Sequence, residues 1–393
     1  MKARKIKDNI YWVGAADWDR RLFDDLIPLP DGTSYNAYLV QGNEKTALID
    51  TVDPEMSHIL LSRLENLSLE RIDYIIANHA EQDHSGTLPQ ILAQYPQAQV
   101  VCTTKCKNML IDMELVSEDR FLTVADGETL SLGDKTLEFI HAPWVHWPET
   151  MLTYLQEDKI LFSCDFLGSH LASTDLYVSD EDKVYEAAKR YYAEIMMPFS
   201  RIIKKNLQKV RGYDISLIAP SHGLIYDRPE FILDAYDEWV NSEPKNIVVL
   251  PYISMHGSTR EMVEHLVDAL IANGVTVKLF NLAVTDIGEL AIALVDAATI
   301  VIGSPTVLTG AHPSVVYAAY LANALKPKAK FVSIVGSYGW GGKMVQQLAG
   351  LIPNLKVEII DPVVIKGSPK EDDFEALDKL AASIAEKHQS LGE

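Results

Sequence analysis

Two imidazoles and two carboxylates fall within six positions of the run Asn78-His79-Ala80-Glu81-Gln82-Asp83-His84-Ser85-Gly86. Nitrogen and oxygen donors at that density suit a borderline or hard transition metal better than a soft one. The preceding Ile72-Asp73-Tyr74-Ile75-Ile76-Ala77 reads as a buried strand. A glycine-closed loop at a strand end is where a scaffold presents side chains to a ligand. A solvated polar loop is the competing reading, but His146, Asp165 and His222 also stand at the ends of apolar runs. The candidate ligands are therefore His79, Glu81, Asp83, His84, His146, Asp165 and His222. Seven groups exceed the needs of one ion and suit two that share a carboxylate, with Asp165, isolated in its own loop, as the bridge. Ions in such pairs lie roughly 3.5–4 Å apart. Three carboxylates and one bridging hydroxide carry four negative charges, which two divalent ions neutralise, a tolerable state for a partly buried pocket.

Three later loops carry a different chemistry. Ser254-Met255-His256-Gly257-Ser258-Thr259 ends in a hydroxyl-rich helix start, whose hydroxyls and backbone N–H groups can cradle one terminal phosphate. Gly303-Ser304-Pro305-Thr306-Val307-Leu308-Thr309-Gly310 is the second loop. The third is Gly336-Ser337-Tyr338-Gly339-Trp340-Gly341-Gly342, where aromatics can cover a flat ring and glycines allow close backbone approach. No Gly-x-Gly-x-x-Gly occurs, so a dinucleotide pyrophosphate is not expected. One hydroxyl loop alone would be weak evidence; three at consistent strand ends point to FMN.

The elements that must position these residues change in rhythm along the chain. In the first half, Ile10–Gly14 is expected as a strand, and Tyr35–Val40 and Lys45–Asp50 as a hairpin. Ser57–Asn66 and Leu88–Tyr95 have helical spacing, and Gln99–Cys102 is a further strand. Leu130–Leu132 and Thr136–Ile140 bracket the turn Gly133-Asp134. Strands follow at Met151–Leu155, Lys159–Cys164 and Ile215–Ala219, with a helix-rich stretch over Glu181–Val210. His146 lies in a rigid loop with two prolines and two tryptophans, His141–Glu149. This order suggests two sheets packed face to face with helices outside, in a domain spanning 1–243. The ligands, all on loops after strands, would converge at one edge of that sandwich.

Beyond Glu243-Pro244-Lys245 the pattern becomes regular strand–helix alternation over 246–393. Strands are expected at Ile247–Tyr252, Val275–Phe280, Thr299–Ile302, Phe331–Val335 and Val357–Ile360. Helices are expected near 259–272, 287–297, 314–325, 342–351 and 371–388. Asn273-Gly274 is a good helix stop. Five parallel strands with covering helices describe a doubly wound, flavodoxin-like unit, whose ligand sits beyond the carboxyl ends of the strands.

Composition narrows the classes. The chain has 393 residues, 48% of them hydrophobic, and a net charge of −20. An acidic chain without a basic cluster is a poor partner for nucleic acid or an anionic membrane surface. Cys102, Cys106 and Cys164 form no Cys-x-x-Cys pair and no disulfide framework, which fits a reducing, cytoplasmic compartment. No apolar stretch reaches membrane-spanning length, and the N-terminus carries no signal-peptide pattern.

His79-x-Glu81-x-Asp83-His84, followed by His146, Asp165 and His222, resembles the metallo-β-lactamase superfamily. Its zinc hydrolases usually carry His-x-His-x-Asp-His. Glu81 replaces the middle histidine, the mark of the flavodiiron proteins (A-type flavoproteins), and an added carboxylate favours iron over zinc. His146-Trp147-Pro148-Glu149-Thr150, Gly303-Ser304-Pro305-Thr306 and Tyr338-Gly339-Trp340-Gly341-Gly342 also look like that family. The resemblance implies a metallo-β-lactamase-like αββα sandwich followed by a flavodoxin-like five-stranded parallel sheet. It implies one iron on His79, Glu81 and His146, a second on Asp83, His84 and His222, and Asp165 between them. Many relatives have tryptophan where His256 stands.

The implied activity is reduction of O2 to water or NO to N2O, with electrons delivered through FMN. The donor would be separate: rubredoxin, another small redox protein or a reduced deazaflavin coenzyme. Two other readings are a dizinc hydrolase with an accessory flavin domain, and an FMN electron carrier with an inactive metal site. A domain of about 240 residues is on the order of 40 Å across. The flavin and metal sites of one chain are thus expected to lie far apart, and the working unit to be a head-to-tail homodimer or a dimer of dimers. His170, close to Asp165 in sequence, suits either an outer hydrogen-bonding role or a satisfied structural one. His58, His141, His265 and His388 are read as having no part in the site.

Overall fold

The structure is a computed structural model, and it describes residues 1–113 and 115–391. The chain divides into two compact units, Met1–Tyr192 with Phe199–Val240, and Ala193–Pro198 with Asn241–Glu393.

The first unit holds a seven-stranded and a five-stranded sheet. In the larger sheet the strands Tyr38–Gln41 and Thr46–Ile49 pair as the expected hairpin, and Tyr74–Ile76 and Gln99–Cys102 follow in parallel. Side chains alternate across it, as strand geometry requires. Leu39, Leu48, Ile75 and Val100 face a cluster with Leu60, Leu64, Leu88, Ile91 and Leu110, which come from helices. Tyr38, Val40, Ala47, Ile49, Ile76 and Val101 face the opposite way and pack with Leu137, Phe139, Met151, Ile160 and Phe162 of the five-stranded sheet. Fully burying one such aliphatic side chain contributes about 1.5–3 kcal/mol. A one-residue slip in Thr46–Ile49 would turn both sets the wrong way, so the register is strongly specified.

Several expected bounds shift. Tyr35 is not in the hairpin: it ends the short strand Thr33–Tyr35, which pairs with Ala15–Asp17. The helices Thr104–Asp112 and Pro229–Asn241 go beyond the expected set. Ser57–Asn66 and Met151–Leu155 fall where expected. The stretch Glu181–Val210 is helical but broken, with a π turn at Tyr192–Met196 and a 3₁₀ turn at Met197–Phe199.

The second unit is a doubly wound parallel sheet. Thr276–Asn281, Lys245–Tyr252, Ala297–Val307 and Phe331–Tyr338 pair in parallel in that order. The fifth position, expected as the single strand Val357–Ile360, is split: Glu358–Ile359 and Val363–Lys366 each pair with Phe331–Tyr338. The strand Ala297–Val307 runs five residues past the expected Ile302 and turns back through Gly310–Ala311 as a small antiparallel arm. Val248, Leu250, Val301 and Val335 of the sheet pack on Met262, Val263 and Leu266 of one helix and Leu377, Leu380 and Ile384 of another. Among the described residues no helix is long and apolar enough to cross a membrane.

Candidate functional site

All seven candidate ligands of the first unit come together in two groups: His79, Glu81, His146 and Asp165, and Asp83, His84 and His222. Within each group the ligand atoms lie within 4.8 Å of one another. His79 and Glu81 follow the strand Tyr74–Ile76. Asp83 and His84, expected in a loop, instead stand on the helical turn Gln82–Ser85. The carbonyl of Glu81 accepts the N–H groups of His84 and Ser85, and the Ser85 hydroxyl donates to the Ala80 carbonyl, so the loop rolls up at this point. One helical turn lets neighbours Asp83 and His84 face the same group, which a strand would send to opposite sides.

Asp165 sits between the groups. Its Oδ2 lies 3.0 Å from His146 Nε2 and 3.4 Å from His79 Nε2, and its Oδ1 lies 3.0 Å from His84 Nε2 and 3.3 Å from His222 Nε2. The chain enters this position through Cys164 in the left-handed region (φ 54°), where the strand register shifts. Strain of that kind is sustained where the surroundings over-determine it.

Residues outside the expected set hold the ligands in place. Glu149 is buried, and its Oε1 accepts from His79 Nδ1 at 2.6 Å and from the Ala80 N–H at 3.0 Å. This fixes the His79 tautomer and presents Nε2 to the site. The carbonyl of Ser34 does the same for His222, at 2.6 Å from Nδ1. Buried Asp50 accepts from both the backbone N–H and the side-chain amide of Asn78, which anchors the loop from below. Thr51 ties this layer to the carbonyl of His84. His170 is buried beside His222, with ring centroids 4.8 Å apart, but is in neither ligand group. Its Nδ1 meets the Thr33 hydroxyl at 2.9 Å, and burial followed by the neighbouring His222 holds it neutral.

The electrostatics favour cations. Burial pushes the imidazoles towards neutrality, yet Asp165 and Glu81 outweigh it at His146, raised to about 9. Asp165 and Asp83 outweigh it at His222, raised to about 10. Burial likewise pushes the carboxyls of Glu81 and Asp165 up, and the surrounding imidazoles draw both below their ordinary range. Both oxygens of Asp83, both ring nitrogens of His84 and Oδ1 of Asp165 are buried without a hydrogen bond. Buried polar atoms that converge but do not bond one another fit ions placed between them. The donor set is all nitrogen and oxygen with three carboxylates, which suits iron better than a softer metal.

The second unit places the three loops as the fold requires. Ser254, Met255, His256, Ser258, Thr259, Pro305, Thr306, Ser337, Tyr338 and Gly339 line one surface pocket at the carboxyl ends of the strands. Gly367, just past Val363–Lys366, lines it too and lies outside the expected set. Gly257 has φ +99°, and the helix Ser258–Ala272 starts directly after it, so its first N–H groups can receive a phosphate. Buried Thr259 and Ser337 hydroxyls lie 3.1 Å apart and join two of the loops. Gly342 approaches Thr306 so closely that an added Cβ would fall 2.6 Å from its methyl group. Val307, Leu308, Thr309 and Gly310 form the tip of the antiparallel arm, and they are not among the pocket's lining residues. Trp340, Gly341 and Gly342 are outside the lining as well, and Trp340 is exposed.

Comparison with known proteins places both units. A family model described as ODP family beta lactamase matches residues 33–223, and one described as flavodoxin matches 250–378. The chain is 36% identical over 389 residues to a nitric oxide reductase of Moorella thermoacetica, covering 97% of each. Among solved structures it resembles the rubredoxin oxygen:oxidoreductase of Desulfovibrio gigas, with TM-score 0.95, 31% identity and 99% of each chain covered. It also resembles the flavodiiron protein of Giardia intestinalis, with TM-score 0.91, 28% identity, and 100% of this chain and 98% of that one covered.

Proposed function

The chain belongs to the flavodiiron family and is an oxidoreductase, and from that premise we propose that it reduces O2 to water and/or NO to N2O at a pair of irons. When bound, FMN and iron supply the redox chemistry: two ferrous ions and a reduced flavin hold four electrons, the number that full O2 reduction requires. The observation that supports this reading most is the position of Asp165, one oxygen towards each group of ligands. His79, Glu81 and His146 would hold one iron, and Asp83, His84 and His222 the other. Glu149 and the Ser34 carbonyl orient two of the imidazoles, while Phe23 and Tyr191 pack against His170 and His222 and keep water from that side. The dizinc hydrolase and the inactive electron carrier are not supported, because the comparisons are with reductases and the ligand groups are complete.

The residues that would hold FMN are those of the three loops, with Ser258 and Thr259 at the phosphate and Tyr338 and Trp340 near the ring. The two working domains would be 1–243 and 246–393. The electron donor would be a separate redox protein such as a rubredoxin, or a reduced deazaflavin coenzyme. Three buried, unpaired cysteines suit a cytoplasmic setting.

A head-to-tail homodimer, or a dimer of dimers, is the working form that each unit's surface supports. Trp18, Leu22, Leu26 and Trp144 are exposed in the first unit, on segments next to the metal groups, and Met255, Leu308 and Trp340 are exposed in the second, around the flavin pocket. A partner chain would cover these exposed apolar side chains. Anaerobic turnover of O2 and NO with a reduced donor, together with metal analysis, tests the reading. Two tightly held zinc ions and hydrolytic activity after iron-replete growth would overturn it.

A further inference from the structure

We propose that Tyr191, Tyr192, Tyr236, Trp239 and Tyr185 form an electron path between the metal groups and the surface. The rings pass an electron inward to an oxidising equivalent stranded at the site, and a small thiol refills the outermost ring. The inference rests on the reading that the site holds iron and reduces O2. An equivalent of that kind is left whenever O2 meets the site with fewer electrons at hand than full reduction requires, and unless it is filled it attacks the side chains around it.

All five rings belong to the first unit. Tyr191 stands at the inner end, its ring centroid 4.9 Å from that of His170 and 6.0 Å from that of His222. It ends the helix Glu181–Tyr191, and Tyr192 opens the π turn that follows, so these neighbours face different sides. Tyr192 meets two rings of the helix Pro229–Asn241, Tyr236 and Trp239, at 5.4 Å each. Those two share one helix face and lie 5.2 Å from each other. Tyr236 also stands edge-on at 5.5 Å to Phe166, the residue after Asp165. Trp239 then meets Tyr185 at 5.3 Å, on the first helix again and only half-buried. Electron transfer falls off steeply with distance, so a run of touching oxidisable rings outpaces one long step to the surface.

Packing alone does not call for these side chains. Phenylalanine would fill the same space, but tyrosine and tryptophan are the rings that give up an electron readily. Tyr236 is 0% exposed and its hydroxyl is buried without a hydrogen bond. Such a group costs about 1–3 kcal/mol, which phenylalanine would avoid. The outer end is equipped for the proton that a tyrosine releases on oxidation. The Trp239 indole N–H donates to the Tyr185 hydroxyl at 2.9 Å, and the Tyr185 O–H donates to Glu238 Oε2 at 3.5 Å. Tyr185 gives its electron to Trp239 and its proton to the Glu238 carboxylate. A thiol then gives a hydrogen atom to the Tyr185 oxygen and becomes a thiyl radical, and Glu238 returns its proton to water. Two thiyl radicals join as a disulfide, so two thiols fill two equivalents at the site and release two protons.

The test takes the iron- and flavin-loaded protein, reduced to half of its electron capacity, mixes it with O2 and freezes it for electron paramagnetic resonance. The unaltered protein should show an aromatic side-chain radical that disappears when a thiol is present. Tyr185→Phe, at a half-buried position, should leave the radical on Trp239 and make it insensitive to thiol. Trp239→Phe should remove the Tyr185 radical. Under a limiting donor it should also raise several-fold the activity lost per O2 consumed, with oxidised Tyr191 and His222 in peptide mass spectra. Iron content, flavin content and turnover at saturating donor should stay unchanged in both variants. Absence of an aromatic radical in the unaltered protein while O2 is consumed would overturn the proposal. So would a radical in Tyr185→Phe that thiol quenches as before. Failure of the loaded, unaltered protein to consume O2 would instead remove the O2-reducing reading, and this inference with it.

Discussion

Glu149 Oε1 lies 2.6 Å from His79 Nδ1, and neither side chain is exposed to solvent. The pair is a carboxylate–imidazole couple turned towards the metal groups, with burial raising the Glu149 carboxyl and the His79 imidazole more than reversing that effect. Such an outer carboxylate fixes the ring and makes its far nitrogen a better ligand. Glu149→Gln keeps an acceptor for the His79 N–H but loses the charge, and should weaken iron binding about 10-fold. Glu149→Ala removes both and should weaken it about 100-fold. Competition with a chelator at constant pH measures the two. Equal affinity in all three proteins would show that Glu149 serves only the loop.

Asp165→Asn separates the two sites functionally. The amide cannot offer a charged oxygen to each ligand group, although its shape is the same. Turnover should fall by roughly 10³-fold or more, equivalent to about 4 kcal/mol of barrier. Flavin absorbance should be unchanged, because the proposed FMN pocket is built from residues of the other unit. Loss of flavin together with activity would mean that the substitution disturbs folding.

At the flavin pocket the informative change is Ser258→Glu. Ser258 begins the helix Ser258–Ala272, where N–H groups favour an anion. A carboxylate there opposes the phosphate directly, and FMN affinity should drop by about 100-fold, or about 3 kcal/mol. Fluorescence titration with FMN measures this, and riboflavin, which lacks the phosphate, should lose much less. Equal losses for both ligands would place the phosphate elsewhere.

The legible part of this molecule was the part written in local patterns. Asn78–Gly86 announced itself through residue type and spacing, and Thr46–Ile49 and Met151–Leu155 through short runs of mainly apolar residues. Glu149 and Ser34 were not legible as site residues, since their contacts reach across 70 and 188 positions and depend on the closed sandwich. Strands such as Leu22–Phe23 and Ile27–Pro28 are two residues long, too short for any period to emerge. The helix Pro229–Asn241 did carry signals: proline at its first position, and Ile232, Leu233, Tyr236 and Trp239 at helical spacing. The extension of Ala297–Val307 was hidden by Gly303 and Pro305, which normally argue against a strand interior. Pro305 is tolerated near the end of the strand, where the antiparallel arm turns back.

His388 gives the second unit a pH dependence of its own. Its Nδ1–H donates to the Asn246 side-chain oxygen at 2.7 Å, and its Nε2 accepts from the Thr299 hydroxyl at 2.6 Å. Both bonds suit the neutral ring, and burial lowers its affinity for a proton. The folded state thus binds fewer protons than the unfolded state below the ordinary histidine range. Its contribution is complete above a pH of about 6.5 and is lost as pH falls towards the depressed folded value, with a slope of at most about 1.4 kcal/mol per pH unit. Urea unfolding of the chain and of His388→Gln at pH 7.5 and 5.5 tests the sign. The unaltered chain should lose more stability on acidification than the variant, and the reverse order would refute the assignment.

The proposed antiparallel dimer makes the strongest demand, because it assigns activity to pairs of chains. Under a twofold axis, the rim of Trp18, Leu22, Leu26 and Trp144 on one chain would cover the rim of Met255, Leu308 and Trp340 on the other, and the two contacts would be equivalent. Each working centre would then combine the metal site of one protomer with the flavin of its partner. Asp165→Asn chains mixed with Ser258→Glu chains make this measurable. Neither homodimer should turn over. A heterodimer regains one intact flavin–metal pair, formed by the flavin of the Asp165→Asn chain and the metal site of the Ser258→Glu chain, so a random mixture should recover about a quarter of the activity of the unaltered protein: half of the dimers are mixed, and each has one of two centres working. The same chains would recover nothing if electrons passed only within a protomer, because each protomer then lacks one of its two sites. Charge substitutions at Leu22 and Leu26, which are exposed and in neither ligand group, should split the dimer and lower turnover in parallel, with flavin and iron contents retained. Full activity in the resulting monomer, or no recovery in verified heterodimers, would rule the arrangement out.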